Sequence, residues 1–358
     1  MENYVVELLF GGFFVFLLLG APISVALGGA GMAAYIALDK DPITMVQIAF
    51  TSVGSFPLMA LPAFVLAGAL MEAAGISKRL VDIAETLAGP ITGGLGAATV
   101  LACLFFGAIS GSGPATTAAV GMLMIPAMVK RRYERAYASA VTAASGGLGI
   151  IIPPSIPMVI FGISALGMAP PPEAIEKFGQ FESLSIPKLF MAGVVPGLVM
   201  ASGLLAMNYF ISKKRGYRGL TDRWSYGEIG TAVRKGVWAI FAPVIILGGI
   251  YTGLFTPTES AIVAIFYTLF VGIFIHRELK FKATLNALRT TTWITGRVLL
   301  ILFTATAFGR LLVETRMPAL VAESMLSMTD NIYVVWTLII LFLLFVGMFM
   351  ETLAAIMI

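Results

Sequence analysis

Two residue types that build many catalytic and metal centres are almost missing from this chain of 358 residues. It contains one cysteine, Cys103, and one histidine, His276. A single cysteine excludes a disulfide within the chain, gives no support for a metal cluster, and is expected to serve packing. The glycine-rich segment GSGPAT lacks the third glycine of a dinucleotide loop, and no G-x-x-x-x-G-K-[ST] motif occurs. We therefore expect no enzyme, no cofactor, no use of ATP and no nucleic-acid partner.

Charged residues are also scarce. They make up 12% of the chain against 59% hydrophobic residues, and the mean hydropathy is +0.96, which an ordinary soluble domain cannot carry on its surface. Continuous apolar runs of the roughly 20 residues that cross a bilayer occur at Leu189–Ser212, Val237–Thr256 and Ile332–Met350. Continuous runs favour helices over barrel strands. The composition predicts an all-α polytopic membrane protein surrounded by lipid.

The few positive charges are clustered, which predicts the orientation of the chain in the membrane. Lys and Arg concentrate in cytoplasmic loops of membrane proteins, and here most of them fall at 78–79, 130–135, 213–235 and 277–289. We expect these four segments on the cytoplasmic side and the acidic connection Pro170–Lys188 on the opposite side.

Polar interruptions break two apolar segments between these loops. The arms Ile91–Ile109 and Ala115–Val129 meet at Ser110–Pro114, which predicts a helical hairpin that enters the membrane and returns. The next segment, Ala136–Leu166, is interrupted by GGLGIIIPPS at Gly146–Ser155, and this pattern cannot remain in one continuous helix. A broken helix is therefore expected.

Weak internal similarity indicates a duplicated architecture. The segment FVLAGALMEAAG at 64–75 resembles LLFVGMFMETLA at 343–354, and the shared pairs are Gly68/Gly347, Met71/Met350 and Glu72/Glu351. The charge distribution gives the two segments opposite directions across the membrane. Inverted repeats of this kind are typical of secondary transporters.

Other segments carry simpler expectations. The apolar stretch Tyr4–Leu38 is too long for one straight span, and a break at Gly20–Pro22 would divide it into two helices. Amphipathic patterns predict interfacial helices at Ser77–Leu87 and Ser225–Lys235. His276, in the sequence HREL, is expected in a solvated loop.

The Ser-Gly-Ser-Gly-Pro tip has two interpretations. Non-helical backbone at membrane depth must be buried in protein or line a watery cavity, and the hydroxyls of Ser110 and Ser112 are donors that suit a small cation. Pro114 would open a helix whose N-terminus favours anions, and Thr116 and Thr117 lie in its first turn. The alternative is close helix packing through Gly107-xxx-Gly111.

The block FFGAISGSGPATTAAVGMLMIPAMVKRRYERAYASAVTAASGGLGIIIPPSIPMVIFG, with GIYTGLFTPTESAIVA and FVGMFMETLAAIMI, resembles the large membrane subunit (the DctM-like M subunit) of tripartite ATP-independent periplasmic (TRAP) transporters. The resemblance runs along essentially the whole chain. It implies a sodium-coupled secondary transporter of elevator type in a bacterial inner membrane. It also implies three partners: a small four-helix membrane subunit, a periplasmic substrate-binding protein, and an organic acid such as a C4-dicarboxylate or sialic acid.

The resemblance also implies site residues. A sodium ion would be bound by Ser110 and Ser112 of the hairpin and by backbone near Gly149, Ile152 and Pro154. Substrate would lie near Gly113, Thr116, Thr117 and Ser155.

By this resemblance residues 1–90 form a first scaffold and arm region, and residues 91–168 form the hairpin and broken helix of a transport domain. Residues 169–289 contain scaffold helices, a cytoplasmic loop and the start of the second repeat, which continues over 290–358. The family's second hairpin would follow Ile358, so this sequence is expected to be truncated before it and to lack the second sodium site. Two other functions stay open: a sodium/dicarboxylate symporter that works without a binding protein, and a non-transporting assembly subunit.

Overall fold

Helices account for nearly all of the described chain. The computed structural model describes residues 2–54, 56–165, 184–221, 223–328, 331–349 and 352–357, and no β-strand occurs within these ranges. The helices are α1 (Glu2–Leu18), α2 (Ile23–Ala37), α3 (Pro42–Val53), α4 (Ala60–Ala73), α5 (Ile76–Ala88), α6 (Gly94–Ser110), α7 (Gly113–Lys130), α8 (Arg135–Gly146), α9 (Leu148–Ile151), α10 (Ile156–Ala165), α11 (Ile186–Arg215), α12 (Tyr226–Tyr251), α13 (Pro257–Phe270), α14 (Phe281–Glu314), α15 (Met317–Met328), α16 (Ile332–Phe349) and α17 (Thr352–Met357). A 3₁₀ turn lies at Phe56–Met59 and a π-helical turn at Val271–Ile275.

Several of these helices are long and apolar enough to cross a membrane. Among the described residues, α11, α12, α14 and the continuous stretch of α13 with the π-helical turn each pass by length and composition. Two bent pairs pass as combined spans: α4 with α5, bent by 68°, and α8–α9 with α10, bent by 40°. The all-α, multi-pass membrane class is confirmed.

The predicted breaks occur where the sequence places them. The N-terminal stretch divides into α1 and α2 around Gly20, whose φ of +80° suits glycine, and Pro22 directly precedes α2. The hairpin divides between α6 and α7, and the following segment divides into α8, α9 and α10. The break between the two hairpin arms and the broken helix are confirmed, and the entry of the hairpin into the membrane stays a prediction.

One of the two predicted interfacial helices forms as a separate helix and the other does not. Ser225–Lys235 does not form a separate interfacial helix, because Ser225 caps one helix that continues to Tyr251. No proline interrupts this helix before Pro243, and Gly236 lies so close to Ile83 of α5 that the helix packs there as it continues. The amphipathic segment at 77–87 does form its own helix, α5, because Gly75 with φ +71° turns the chain.

The prediction of a solvated His276 is wrong. The ring is half-buried, and its Nδ1 atom lies 2.9 Å from the Ala74 carbonyl oxygen. Cys103 is fully buried in α6, so its predicted packing role is confirmed.

The chain divides into two units. One contains residues 1–58 and 295–358, and the other contains residues 59–294. The core of the first unit is built by apolar side chains of α1, α2 and α14, among them Leu9, Leu27, Phe308 and Leu311. The second unit contains the hairpin, the broken helix and α11.

A polar network fixes α11 to the base of the hairpin in the second unit. Asn208 is 2% exposed; its Nδ2 donates to the Gly93 carbonyl at 3.2 Å, and its Oδ1 accepts the Tyr137 hydroxyl at 2.7 Å. Nearby, the rings of Tyr133 and Tyr217 stack with centroids 4.1 Å apart. Burial raises the pKa of Tyr133 to about 12, so this ring stays neutral.

Some predictions concern residues outside the described ranges. These include Met350 and Glu351, on which the second-repeat correspondence depends, and most of the acidic connection, at 166–183. The inverted repeat and the side of that connection stay predictions.

Candidate ion and substrate site

The hairpin reverses through two residues. Helix α6 ends at Ser110, and Gly111 adopts φ +61°, a left-handed conformation that glycine takes without strain. Ser112 is extended and caps α7, because its side chain accepts from the Ala115 amide at 3.4 Å. Pro114 lies in the first turn of α7, where a missing N–H costs nothing. The sequence Ser-Gly-Ser-Gly-Pro is therefore a helix stop followed by a helix start.

Hydroxyl groups converge behind this tip. The Thr116 hydroxyl donates to the Ser112 carbonyl at 2.8 Å and lies 2.9 Å from the Ser110 hydroxyl. Ser110 is 2% exposed and Thr116 is 0% exposed. With its proton committed to Ser112, Thr116 accepts from Ser110. Three oxygens from neighbouring turns thus face one another in a buried place.

The broken helix supplies the opposite side of the site. Helix α9 ends at Ile151, and a bent, non-helical segment that begins with the extended residue Ile152 leads to the start of α10. Ser155 is 1% exposed; its hydroxyl donates to the Ile150 carbonyl at 2.5 Å and accepts from the Met158 amide at 3.3 Å. Ser155 therefore caps α10 and closes the turn at the same time.

The hairpin tip and this turn are in direct backbone contact. The Ile156 amide donates to the Gly111 carbonyl at 3.1 Å. A Cβ on Gly111 would lie 2.6 Å from the Pro154 carbonyl oxygen, and one on Gly149 would lie 2.3 Å from Thr116 Oγ1. A Cβ on Gly107 would lie 2.8 Å from the Gly149 Cα. Glycine is needed at each of these positions for the approach, so the close-packing interpretation and the polar site describe the same place.

The structure brings most of the predicted sodium residues together. Ser110 and Ser112 lie at the tip, Gly149 adjoins Thr116, and the Pro154 carbonyl lies against Gly111. The side chain of Ile152 instead packs on α11, where a Cβ at Gly197 would lie 2.2 Å from its Cδ1 atom. Only the backbone of Ile152 belongs to the turn.

The predicted substrate residues divide between two environments. Thr116 is directed inward to the hydroxyl cluster. Thr117 packs so closely on Gly146 that no side chain fits there, and Gly113 adjoins Ile150. Ser155 is engaged in capping. These four residues surround the contact between hairpin and broken helix.

Glycines on two neighbouring helices also pack against the site. The sequence analysis did not predict them as site residues. A Cβ on Gly68 of α4 would lie 3.4 Å from the Ser110 Cα, and one on Gly193 of α11 would lie 2.7 Å from the Ile151 carbonyl oxygen. Gly193 and Gly197 have the spacing of a small-xxx-small motif. From this spacing the sequence could have predicted that α11 packs closely on another helix, here the broken helix.

The chemistry of the site follows from its donor set. The atoms that meet are hydroxyl and carbonyl oxygens of uncharged residues, which suit a hard cation of low charge. Helices α7 and α10 also begin here, and the partial positive charge at their N-termini favours an anion. Within the described ranges no group of three or more His, Cys, Asp or Glu residues is placed to hold a metal ion.

Comparisons with known proteins identify the family. Residues 10–358 match the family model of the Tripartite ATP-independent periplasmic transporter, DctM component. The chain is 43% identical over 351 residues to the isethionate TRAP transporter permease protein DctMQ of Oleidesulfovibrio alaskensis, covering 98% of this chain and 53% of that protein. It is 35% identical to the C4-dicarboxylate TRAP transporter large permease protein DctM of Rhodobacter capsulatus, covering 96% and 78%. It is 36% identical to the sialic acid TRAP transporter large permease protein SiaM of Vibrio cholerae, covering 96% and 76%.

The chain thus spans about half the length of the DctMQ relative and about three quarters of the other two. The family match nevertheless covers nearly all of this sequence, and its glycine and serine residues build the hairpin and broken helix described above. The chain belongs to the DctM family of TRAP transporter components.

Proposed function

We propose that this chain is the large permease subunit of a sodium-coupled TRAP transporter in a bacterial inner membrane. It imports an organic acid that a periplasmic binding protein delivers, and it acts together with a small four-helix membrane subunit. The proposal rests on family membership and on one structural observation, the buried oxygen cluster where the hairpin tip meets the broken-helix turn.

The oxygen cluster fits sodium better than a divalent cation. Ser110, Ser112 and Thr116 offer neutral hydroxyls and a carbonyl, and their hydrogen bonds within the described ranges are with one another and with backbone rather than with a carboxylate. Divalent calcium and magnesium sites in proteins use carboxylate ligands. Gly149, Ile152 and Pro154 would add backbone carbonyls from the opposite side.

The substrate class is a small organic anion. The named relatives are permeases for isethionate, a C4-dicarboxylate and sialic acid, and all three compounds carry an anionic sulfonate or carboxylate group. The N-termini of α7 and α10 supply a matching partial positive charge.

The same geometry gives a coupling mechanism. Sodium at the cluster would be coordinated by the carbonyl and hydroxyl oxygens that meet there, and this would fix the tip against the turn. The serine caps then hold both helix N-termini in position for the anion. We propose that the hairpin and the broken helix belong to a transport domain that moves by an elevator mechanism in a protein built from inverted repeats.

The experiment is uptake into proteoliposomes under an inward sodium gradient. The full permease, its small membrane partner and the cognate binding protein are reconstituted, and labelled organic acids are supplied with each component omitted in turn. Sodium-dependent uptake that needs the binding protein supports the proposal. Uptake without the binding protein favours a stand-alone symporter, and uptake in no combination favours an assembly subunit.

Two serine variants, one at the tip and one control, test the sodium site itself. Ser112→Ala removes the cap of α7 and a hydroxyl of the tip, so the sodium concentration for half-maximal uptake should rise. Ser202→Ala is the matched control, because Ser202 is exposed on α11 and its hydroxyl donates to the Val199 carbonyl of the same helix. Equal sodium activation in both variants would refute the assignment.

A further inference from the structure

The bend between α4 and α5 is held by the segment that follows the π-helical turn. His276 Nδ1 lies 2.9 Å from the Ala74 carbonyl oxygen, at the end of α4. Arg79 donates to the Gly75 carbonyl and to Glu278 Oε1, each at 2.9 Å. We call these contacts of His276 and Glu278 with residues 74–79 the clasp.

The imidazole has a defined protonation state in the clasp. A carbonyl can only accept, so Nδ1 carries the proton, and in the neutral ring Nε2 is then a bare acceptor. Nε2 is buried and has no hydrogen-bond partner within the part of the chain that the structure describes. Protonation leaves the Nδ1–H bond to Ala74 in place but adds a second N–H at Nε2 with no acceptor, which is costly in a buried site. The protonated ring is therefore more stable when it moves out of this site and Nε2–H reaches water.

The charges around the ring come from two elements. Arg79 of α5 disfavours a protonated ring and Glu278 of its own segment favours it. The ionisable side chains of Glu72 near the end of α4, of Arg277 next to the ring, and of Lys280 and Lys282 around the start of α14 are exposed. Burial lowers the pKa of His276, Arg79 lowers it further, and the Ala74 bond and Glu278 oppose this.

Helix α4 connects the clasp to the ion and substrate site. At one end, a Cβ on Gly272 of the π-helical turn would lie 2.9 Å from the Ala74 Cβ, so the two segments are in tight contact. Six residues earlier, Gly68 packs against Ser110 of the hairpin tip, with 3.4 Å between its would-be Cβ and the Ser110 Cα. Movement of the α4 end therefore reaches the tip through one helix.

We propose that His276 is a proton-binding site that keeps the α4–α5 bend clasped while neutral and releases it when protonated. Release frees the end of α4 and loosens its packing on Ser110. Acidification on the side predicted to be cytoplasmic would thereby weaken the hairpin contact. The clasp itself does not depend on the proposed transport function; only its effect on sodium coupling does.

The test is hydrogen exchange on the full chain in lipid nanodiscs. Peptides covering residues 70–79 are followed at about pH 7.5 and about pH 4.5, after correction for the intrinsic exchange rate. The lower value lies well below an ordinary histidine pKa, because burial lowers the pKa of His276. When the protonated ring moves out, the Ala74 carbonyl loses a hydrogen bond worth about 1 kcal/mol, so protection should fall about fivefold at the lower pH. Peptides from α11 report whether the fold as a whole is unchanged.

Two variants identify the responsible group. His276→Asn keeps an N–H donor near the Nδ1 position but cannot titrate, so protection should be equal at both pH values. His276→Phe lacks the donor, so protection should be low at both. Equal protection in the unmodified chain at the two pH values overturns the proposal, and so does a pH response that persists in His276→Asn. Because no transport is measured, these results are independent of whether the proteoliposomes take up substrate.

Discussion

At Gly149 one added methyl group would meet both a side chain and the backbone of the hairpin tip. In Gly149→Ala the new Cβ would lie 2.3 Å from Thr116 Oγ1 and 2.8 Å from the Ser112 carbonyl oxygen. Ordinary contacts of this kind lie at roughly 3.5 Å, so the tip and the turn must separate by about 1 Å. The carbonyl belongs to the backbone and cannot rotate away as a side chain would.

The expected cost is an overpacking energy of about 1–3 kcal/mol. Alanine recovers about 0.5–1 kcal/mol over glycine in a helix, which does not offset it. Gly203→Ala on α11 is the matched control, because no atom lies within 4 Å of its would-be Cβ. The control keeps only the helix gain, so the two variants should change the apparent Tm in opposite directions.

Sodium dependence gives a second measurement on the same variants. A bound ligand raises the apparent stability of the folded state, so sodium chloride should raise the Tm of the unmodified chain over choline chloride. Separation of Thr116 and Ser112 from the turn should reduce this sodium effect in Gly149→Ala and leave it intact in Gly203→Ala. Equal Tm values and equal sodium effects in the two variants would refute the contact argued here.

Three further results are expected. Asn208→Leu leaves the buried Tyr137 hydroxyl without its acceptor and should destabilise the chain by about 1–3 kcal/mol, measured as a lower Tm. Lys40→Met removes an ion pair with Glu314 whose side chains are 41% and 31% exposed, so the change should stay below about 1 kcal/mol; a larger loss would contradict the surface assignment. Burial lowers the pKa of His276 below 6.5, so at acid pH the unfolded chain binds more protons than the folded chain. The contribution of neutral His276 to the free energy of unfolding is therefore complete above that value and is lost as pH falls. Acid should therefore lower the Tm of the unmodified chain more than that of His276→Asn.

The sequence was sufficient for features that depend on local chemistry. Ser110–Pro114 could be predicted as a hairpin tip because a left-handed glycine, a capping serine and a first-turn proline act within a few residues. The double proline at Pro153–Pro154 likewise predicted the interruption of the broken helix. Hydropathy was enough for the membrane class.

Features that depend on distant segments could not be predicted. The environment of His276 is set by Ala74, 202 residues away in the chain, and its local sequence HREL resembles an ordinary polar loop. The pairing of Gly193 with Ile151 has the same origin. An amphipathic pattern at 225–235 describes one face of a helix but not its end, so the continuation of α12 to Tyr251 was missed.

The buried thiol of Cys103 has a practical consequence. A side chain with 0% exposure in the middle of α6 is shielded from maleimide reagents while the chain is folded. Reporter cysteines can therefore be introduced at the hairpin tip or in the clasp without first replacing the native one. The slow rate at which maleimide labels Cys103 then reports how often α6, the helix that leads to the tip, opens.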